Sequence, residues 1–316
     1  MQGEFDFIKR KLEPLTYGNG AARNLKDDCA FFSSINNLVI SVDNSIEGIH
    51  VPIGTDVKIQ ARRAVLRALS DIATFGADPK CIFSSISLPK NIKSNSYDKI
   101  ALGFKEALLE YDMFLAGGDT TSYNGPLMFS ITVLGDNGEK DSGRKGAKNG
   151  DLVVVSGNIG SSFIGLKILK KEISKEIVSN HEYFINKFLV PYPRISLGKL
   201  ICNFSSSVID VSDGLLGDLK HICNVNGLGA KIDLKKIPLM EEIKKLINSK
   251  KINIIDLLTA GDDYELLYTI DPKDSVHLDE DSTIIGKIVN DSNQKILDEN
   301  NEIIIADKDF SGFKHF

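Results

Sequence analysis

Aspartates in this chain fall where apolar, strand-like runs stop. Asp27 and Asp28 precede CAFF, and Asp43 ends LVISVD. Asp119 follows FLA and two glycines in AGGDTT, while Asp210 and Asp213 lie in SSVIDVSDG, between a strand and a helix. Open α/β structures bind ligands beside strand ends, where backbone turns free side chains to converge. These acids are therefore the first candidates for chemistry, and the elements around them set the fold.

Phe5, Ile8 and Leu12 recur at helical spacing and predict a short amphipathic opening helix. Strand-like runs follow at 29–32 and 38–42. Thr55 or Asp56 can cap a long helix reaching about residue 75, closed by Gly76 and followed by Pro79. A strand at 81–88, a helix at 97–109 and strands at 113–116 and 127–134 complete this half. Residues 136–150, DNGEKDSGRKGAKNG, are polar, Gly-rich and without apolar period, which predicts a linker or mobile loop. The boundary is placed there, giving domains 1–137 and 138–316. Beyond it come strands at 151–156, 207–211, 229–234, 264–270 and 284–289, with helices at 161–171, after Pro193 and at 214–223. Helices grouped with β-rich stretches in each half predict two α+β domains.

The chain has 316 residues, a natural length for two packed domains. With 38 basic and 43 acidic side chains its net charge is −5, which gives no support for nucleic-acid binding, a function that wants a basic face. An anionic substrate would need bound metal ions or a few local Lys and Arg to offset repulsion. Cys29, Cys81, Cys202 and Cys223 form no C-x-x-C pair and no zinc-like spacing, so they read as reduced thiols. The first eleven residues are polar and amphipathic, unlike a signal peptide. No apolar run approaches the roughly 18 residues that span a bilayer. A cytoplasmic protein is expected.

Asp71 makes a separate point. Val57, Ala61, Ala64, Ala68, Ile72 and Phe75 form one helix face, and Asp71 falls on or beside it. A buried carboxylate without a partner is costly; a metal ion would remedy it, as would a salt bridge to Arg67 at i−4. Any single Asp at these positions is more often a cap or turn residue, and Asp56 and Asp213 fit that role well. Taken as a set, the acids make an oxygen-rich cluster suited to a hard cation such as Mg²⁺. No G-x-x-x-x-G-K-[ST] loop and no H-R-D-x-x-x-x-N motif competes. VVVSGNIGSSFIGL runs from strand through glycines into helix, an anion-binding start or a structural turn. In GGDTT two glycines would let the backbone approach phosphate oxygens. Arg144 could clamp a phosphate or remain a solvated surface Arg.

Eight motifs occur in order between GEF at 3–5 and GFKHF at 312–316: DDCAFF, SVDNSIEGIH, RALSDIATFGADP, AGGDTTS, RKGAKNGD, PYPRISLG, VIDVSDGLLGDLKHI and AGDDYELLYT. In this the chain resembles the thiamine-monophosphate kinases, relatives of aminoimidazole-ribotide synthetase, selenophosphate synthetase and a hydrogenase-maturation protein. The resemblance implies an N-terminal α/β domain whose strands form a barrel across a homodimer, and an α+β C-terminal domain. It implies Mg²⁺ ligands at Asp28, Asp43, Asp71, Asp119 and Asp210, with Ser41 and Val42 at the strand end and Asp213 near the substrate phosphate. Asp119, Asp210 and Asp213 would form the catalytic centre. Gly118, Asp119, Arg144 and Ser212 match ATP-contacting positions, and His50, Asp262 and Phe313 match contacts to the thiamine moiety.

Val42 and Asn44 replace hydroxyl residues usual in that family, so a metal contact at 42 must use the backbone carbonyl. Asp262 stands where Glu is usual, Ala260 replaces a Gly, and the opening reads NLKDD. The reaction implied is direct, in-line phosphorylation of thiamine monophosphate by ATP with several Mg²⁺ ions. The attacking phosphate oxygen is already ionised at neutral pH, so His50 need not be a base; it is a substrate contact or a structural histidine. Phe313 packs on a substrate ring or in the core. Two rival readings are another ATP-dependent enzyme of this superfamily and a non-catalytic nucleotide- or metal-binding protein. Against the first, no Cys stands in a Gly-rich N-terminal leader, the chain ends in KHF rather than in Cys, and aminoimidazole-ribotide synthetase lacks AGDDYELLYT.

Overall fold

The computed structural model describes residues 4–27, 29–34, 37–137, 142–291, 295–298 and 300–305. The chain divides into two compact units, Met1–Ile72 with Ala77–Glu139 and Ala73–Gly76 with Lys140–Phe316. Both mix helix and sheet, as an α+β protein does. Among the described residues no helix is long and apolar enough to cross a membrane.

The first unit opens with α1, Glu4–Phe7, which continues into a π-helical turn, Ile8–Leu12, and buries Phe7 and Leu12. Its sheet holds β1 (Leu38–Ile46), β2 (Asp78–Pro89), β3 (Phe114–Tyr123) and β4 (Met128–Asp136) in the order β1-β4-β2-β3. α2 (Val57–Thr74) precedes β2, and α3 (Ser96–Glu110) is the crossover that the parallel β2 and β3 require. One sheet face carries Ile82, Ile86, Phe129, Ile131 and Val133, all fully buried. The Phe104 ring of α3 packs on Phe129 at 5.7 Å. The opposite face is open along β1, where Leu38, Ile40 and Val42 are 42%, 54% and 60% exposed.

Three strand expectations change here. Residues 29–32 are not a strand; Phe31 N–H donates to the Ala21 carbonyl at 2.9 Å, and Phe32 packs on Cys81, Ala116 and Leu134. β1 runs past Asp43 to Ile46, and β3 runs straight through AGGDTT. The glycines do not stop β3 because it pairs with β2 along its length and carries the β-branched Thr120 and Thr121.

The second unit carries a seven-stranded sheet, β11-β10-β7-β9-β5-β8-β6. Its strands are β5 (Leu152–Ser156), β6 (Ser205–Asp210), β7 (Gly229–Ile232), β8 (Leu266–Ile270), β9 (Ser282–Val289), β10 (Ile296–Leu297) and β11 (Ile303–Ile305). Its helices are α4 (Ser161–Leu169), α5 (His181–Leu189), α6 (Ile195–Ile201), α7 (Leu215–Asn226), α8 (Glu241–Asn248) and α9 (Ile254–Leu258). Val153, Val155, Ile209, Leu219, Ile222, Leu267 and Ile285 join one buried core. Each such side chain contributes about 1.5–3 kcal/mol by leaving water.

Residues 142–150, read from composition as linker or loop, are packed into this unit. The Gly143 carbonyl accepts from Val208 N–H at 2.7 Å, Ala147 joins the core, and the Asp151 carboxylate accepts from Lys148 N–H at 2.9 Å. Composition reports side chains, whereas this segment is held mainly through its backbone.

Candidate active site

In the first unit the pleat of β1 turns Ser41 and Asp43 away from the exposed face that carries Val42. Ser41 donates its hydroxyl to the Asp71 carboxylate on α2. Arg67, one turn before Asp71, reaches Asp43 at 3.3 Å and the Asn44 carbonyl at 3.0 Å. Ser41, Asp43 and Asp71 are thus gathered at one edge of the sheet, with Arg67 bound to the strand.

Asp119 owes its orientation to a β-bulge. Ile82 pairs with Leu115, but the next residue, Phe83, pairs with Gly117, leaving Ala116 as an extra residue in β3. Leu115 is buried on the helix side with Ile82. Without the bulge Asp119 would alternate onto that same apolar face; the extra residue flips it to the open one. There Asp119, Ser85, Ser130 and Asn44 form a polar row across the sheet. Asp119 therefore lies on the opposite face and the opposite edge from Asp43, about 14 Å away by strand spacing.

Gly118 has a structural reason of its own to be glycine. A Cβ there would sit 2.1 Å from the Ser84 carbonyl oxygen, so the close approach is to the neighbouring strand. His50 accepts from Ile46 N–H through Nδ1 at 3.1 Å, a structural bond that fixes the turn after β1. Asp28 and Phe313 lie outside the described residues.

In the second unit Asp210 ends β6, only 3% exposed, and accepts from the Ser212 hydroxyl at 3.3 Å. Asp213 follows in the turn, its N–H donating at 3.1 Å to Asp218 on α7. Burial pushes the Asp218 carboxyl well above the usual range, and the charges of Asp210 and Asp213 push the same way. Ligand atoms of Asp213, Asp218 and His221 all lie within 4.8 Å of one another. Burial and then the Arg144 charge lower His221, with Asp213 opposing, which favours a neutral imidazole able to coordinate. Arg144 is exposed; its carbonyl is held by Asn226 Nδ2 at 2.9 Å.

Asp262 N–H donates to the Ser212 carbonyl at 2.9 Å. The adjacent acid has a different task. Asp263 accepts from Gly160 N–H at 2.7 Å and Ser162 N–H at 3.2 Å, covering the start of α4. The glycine-rich entry to α4 is therefore filled by a carboxylate of this chain, and the anion-site reading of VVVSGNIGSSFIGL gives way to a structural one. Burial pushes Asp263 up to about 7 against the pull of these two donors.

Asp218, His221 and Asp263 were not singled out from sequence. Asp218 could have been, because it interrupts GLLGDLKHI among buried leucines just as Asp71 interrupts its helix. The donors gathered in each unit, carboxylates with one hydroxyl or one imidazole and no thiolate, fit a hard divalent cation.

Two family descriptions match the chain: AIR synthase related protein, N-terminal domain, over residues 26–136, and its C-terminal domain over residues 148–299. The thiamine-monophosphate kinase of Buchnera aphidicola subsp. Schizaphis graminum is 37% identical over 93% of this chain and 92% of its own length. That of Escherichia coli K12 is 32% identical over 99% and 98%. Among solved structures, AaThiL complexed with AMPPCP and TMP has a TM-score of 0.79 at 26% identity, covering 99% of this chain and 97% of that one. Hydrogenase maturation protein HypE with ATP shares the fold at 14% identity, TM-score 0.77, covering 96% and 94%. By domain match and by full-length relatives alike, the chain belongs to the thiamine-monophosphate kinases, enzymes built on the two-domain AIR synthase-related fold.

Proposed function

We propose that the chain transfers the γ-phosphoryl group of ATP directly, in line, to the phosphate of thiamine monophosphate, giving thiamine diphosphate. The observation that carries this reading is a pair of carboxylate groups on separate units: Asp43 with Asp71, and Asp210 with Asp213, Asp218 and His221. Asp28, Ser41, the Val42 carbonyl, Asp43, Asp71, Asp119, Asp210 and Asp213 would hold Mg²⁺. When bound, Mg²⁺ offsets the charge of two phosphate groups and of the transition state between them. Gly118, Asp119, Arg144 and Ser212 face ATP, Arg144 as a cation for a phosphate oxygen. His50, Asp262 and Phe313 contact the thiamine moiety. The attacking oxygen is ionised at neutral pH, so no side chain has to remove a proton from it.

The working form is a homodimer in the cytoplasm. The open face of β1, with Leu38, Ile40 and Val42 exposed in a row, is an apolar surface a second copy would cover. One sheet keeps Asp43 and Asp119 at opposite edges and on opposite faces, so the second copy would also supply the carboxylate that each site lacks.

The purified protein, given Mg²⁺, ATP and thiamine monophosphate, is expected to form thiamine diphosphate and ADP in equal amounts. Tight ATP binding without either product would overturn the reading in favour of a binding protein. ADP formed only with formylglycinamidine ribotide would assign the chain to purine synthesis.

A further inference from the structure

The loop that carries Asp262 is strained. Asp262 has φ +73° and Tyr264 φ +53°, both in the left-handed region. Aspartate tolerates that conformation; a bulky tyrosine rarely adopts it, and such outliers persist only where their surroundings enforce them. Here two backbone bonds do so: Asp262 N–H to the Ser212 carbonyl and Tyr264 N–H to the Val211 carbonyl, each 2.9 Å. A glycine at 261 is needed between the strands of this clasp, because a Cβ there would stand 2.0 Å from the Ser212 carbonyl oxygen.

The strain has a visible product. It brings two side chains that are two residues apart onto one side, and the Tyr264 hydroxyl donates to Asp262 Oδ1 at 2.9 Å. Tyr264 is 2% exposed, so its ring is anchored in protein while its hydroxyl fixes one carboxylate oxygen. We propose that Tyr264 is a positioning residue for the substrate: its hydroxyl, bound to Oδ1, aims the Asp262 carboxylate at the cationic thiamine moiety.

This rests on the reading of Asp262 as a thiamine contact. It also gives the shorter acid at 262 a physical setting. An aspartate has one fewer rotatable bond than a glutamate, and a carboxylate tied to a buried hydroxyl loses little further freedom when substrate arrives. The same clasp seats Asp262 on Ser212 and beside Asp213, so the thiamine contact and the phosphate-facing turn share one rigid frame.

The test is a double-mutant cycle with Y264F and D262A, read as KM for thiamine monophosphate, KM for ATP and kcat. Y264F removes one oxygen and is expected to raise KM for thiamine monophosphate about tenfold, the scale of a lost hydrogen bond to a charged group. KM for ATP and kcat should stay within about twofold, and the melting temperature within a few degrees. In the D262A background Y264F should add nothing, since the hydroxyl then has no carboxylate to aim. A merely structural tyrosine would lower stability and affect both substrates alike. Calorimetric binding of thiamine monophosphate alone repeats the readout without turnover. If D262A raises KM but Y264F does not, or if the two effects add in full, the positioning role is overturned and Asp262 remains a contact. If D262A itself leaves KM for thiamine monophosphate unchanged, both the contact and the role built on it fall.

Discussion

Arg194 and Glu265 show how two separate motifs become one structural device. The guanidinium of Arg194, from PYPRISLG, donates to both oxygens of Glu265, from AGDDYELLYT, at 2.6 and 2.8 Å. The Ser156 hydroxyl donates to the same carboxylate at 2.6 Å, and Glu265 is only 3% exposed. Removing one partner of such a pair leaves a buried charge uncompensated, which costs about 3–5 kcal/mol. Arg194→Met should therefore lower the urea midpoint of the second unit by that equivalent, whereas Lys170→Met, on the surface, should not. Both motifs were legible in the sequence, but not that each contributes half of an ion pair. The adjacent acids in AGDDYE were equally ambiguous: nothing in a string of letters says that Asp262 faces the clasp while Asp263 caps a helix a hundred residues upstream. That division is made by a local φ of +73°, which sequence patterning does not report.

At the scale of single elements, β3 and α4 each carry one feature that decides function or stability. The extra residue Ala116 in β3 determines on which face Asp119 emerges. Deleting Ala116 should restore strict alternation, turn Asp119 toward the helices and reduce turnover by about a thousandfold, the scale expected if Asp119 holds Mg²⁺ against the phosphates. The replacement Ala116→Gly, which keeps the count, should retain most activity; equal loss in both would mean that the bulge is not what orients Asp119. For α4 the sign follows from its cap. Asp263 is raised by burial to about 7, above the value of 3.8 expected in the unfolded chain. Its folded form thus binds the proton more tightly, so its contribution to stability is full below pH 3.8 and is lost as pH rises through 7. Urea melts of metal-free protein should show stability falling between about pH 4 and 7 and levelling off above, by on the order of a few kcal/mol at most, and Asp263→Asn should flatten that slope. Periodicity located β3 and α4 well, because apolar alternation and helical spacing are side-chain properties. It ended β3 at Ala116, before GGDTT, and left the α4 entrance open to an anion, because strand pairing of glycines and a distant cap are long-range facts.

At the scale of the whole molecule, the acids that alternate along β1 and β3 raise a question one chain does not answer. Asp43 and Asp119 were expected from their neighbours to serve one site, and their strand positions were close to legible. Yet the sheet order β1-β4-β2-β3 sets them at opposite edges, and the bulge sets them on opposite faces. Sheet order is invisible to local pattern, since it depends on which strands pair rather than on which residues form them. The exposed apolar row of Leu38, Ile40 and Val42 offers the way out, because covering it with a second copy brings another set of strand ends to the same region. Complementation tests this directly. Asp43→Asn and Asp119→Asn should each be inactive alone while melting like the parent. Refolded together in equal amounts, half of the dimers would be mixed, and each mixed dimer would hold one site with both carboxylates intact. Activity should then recover to about a quarter of the parent value, and Val42→Lys on both chains, which charges the apolar row, should abolish that recovery along with the dimer. No recovery from a mixture shown to contain mixed dimers would mean that each site draws its carboxylates from a single chain, and that the open face of β1 serves another purpose.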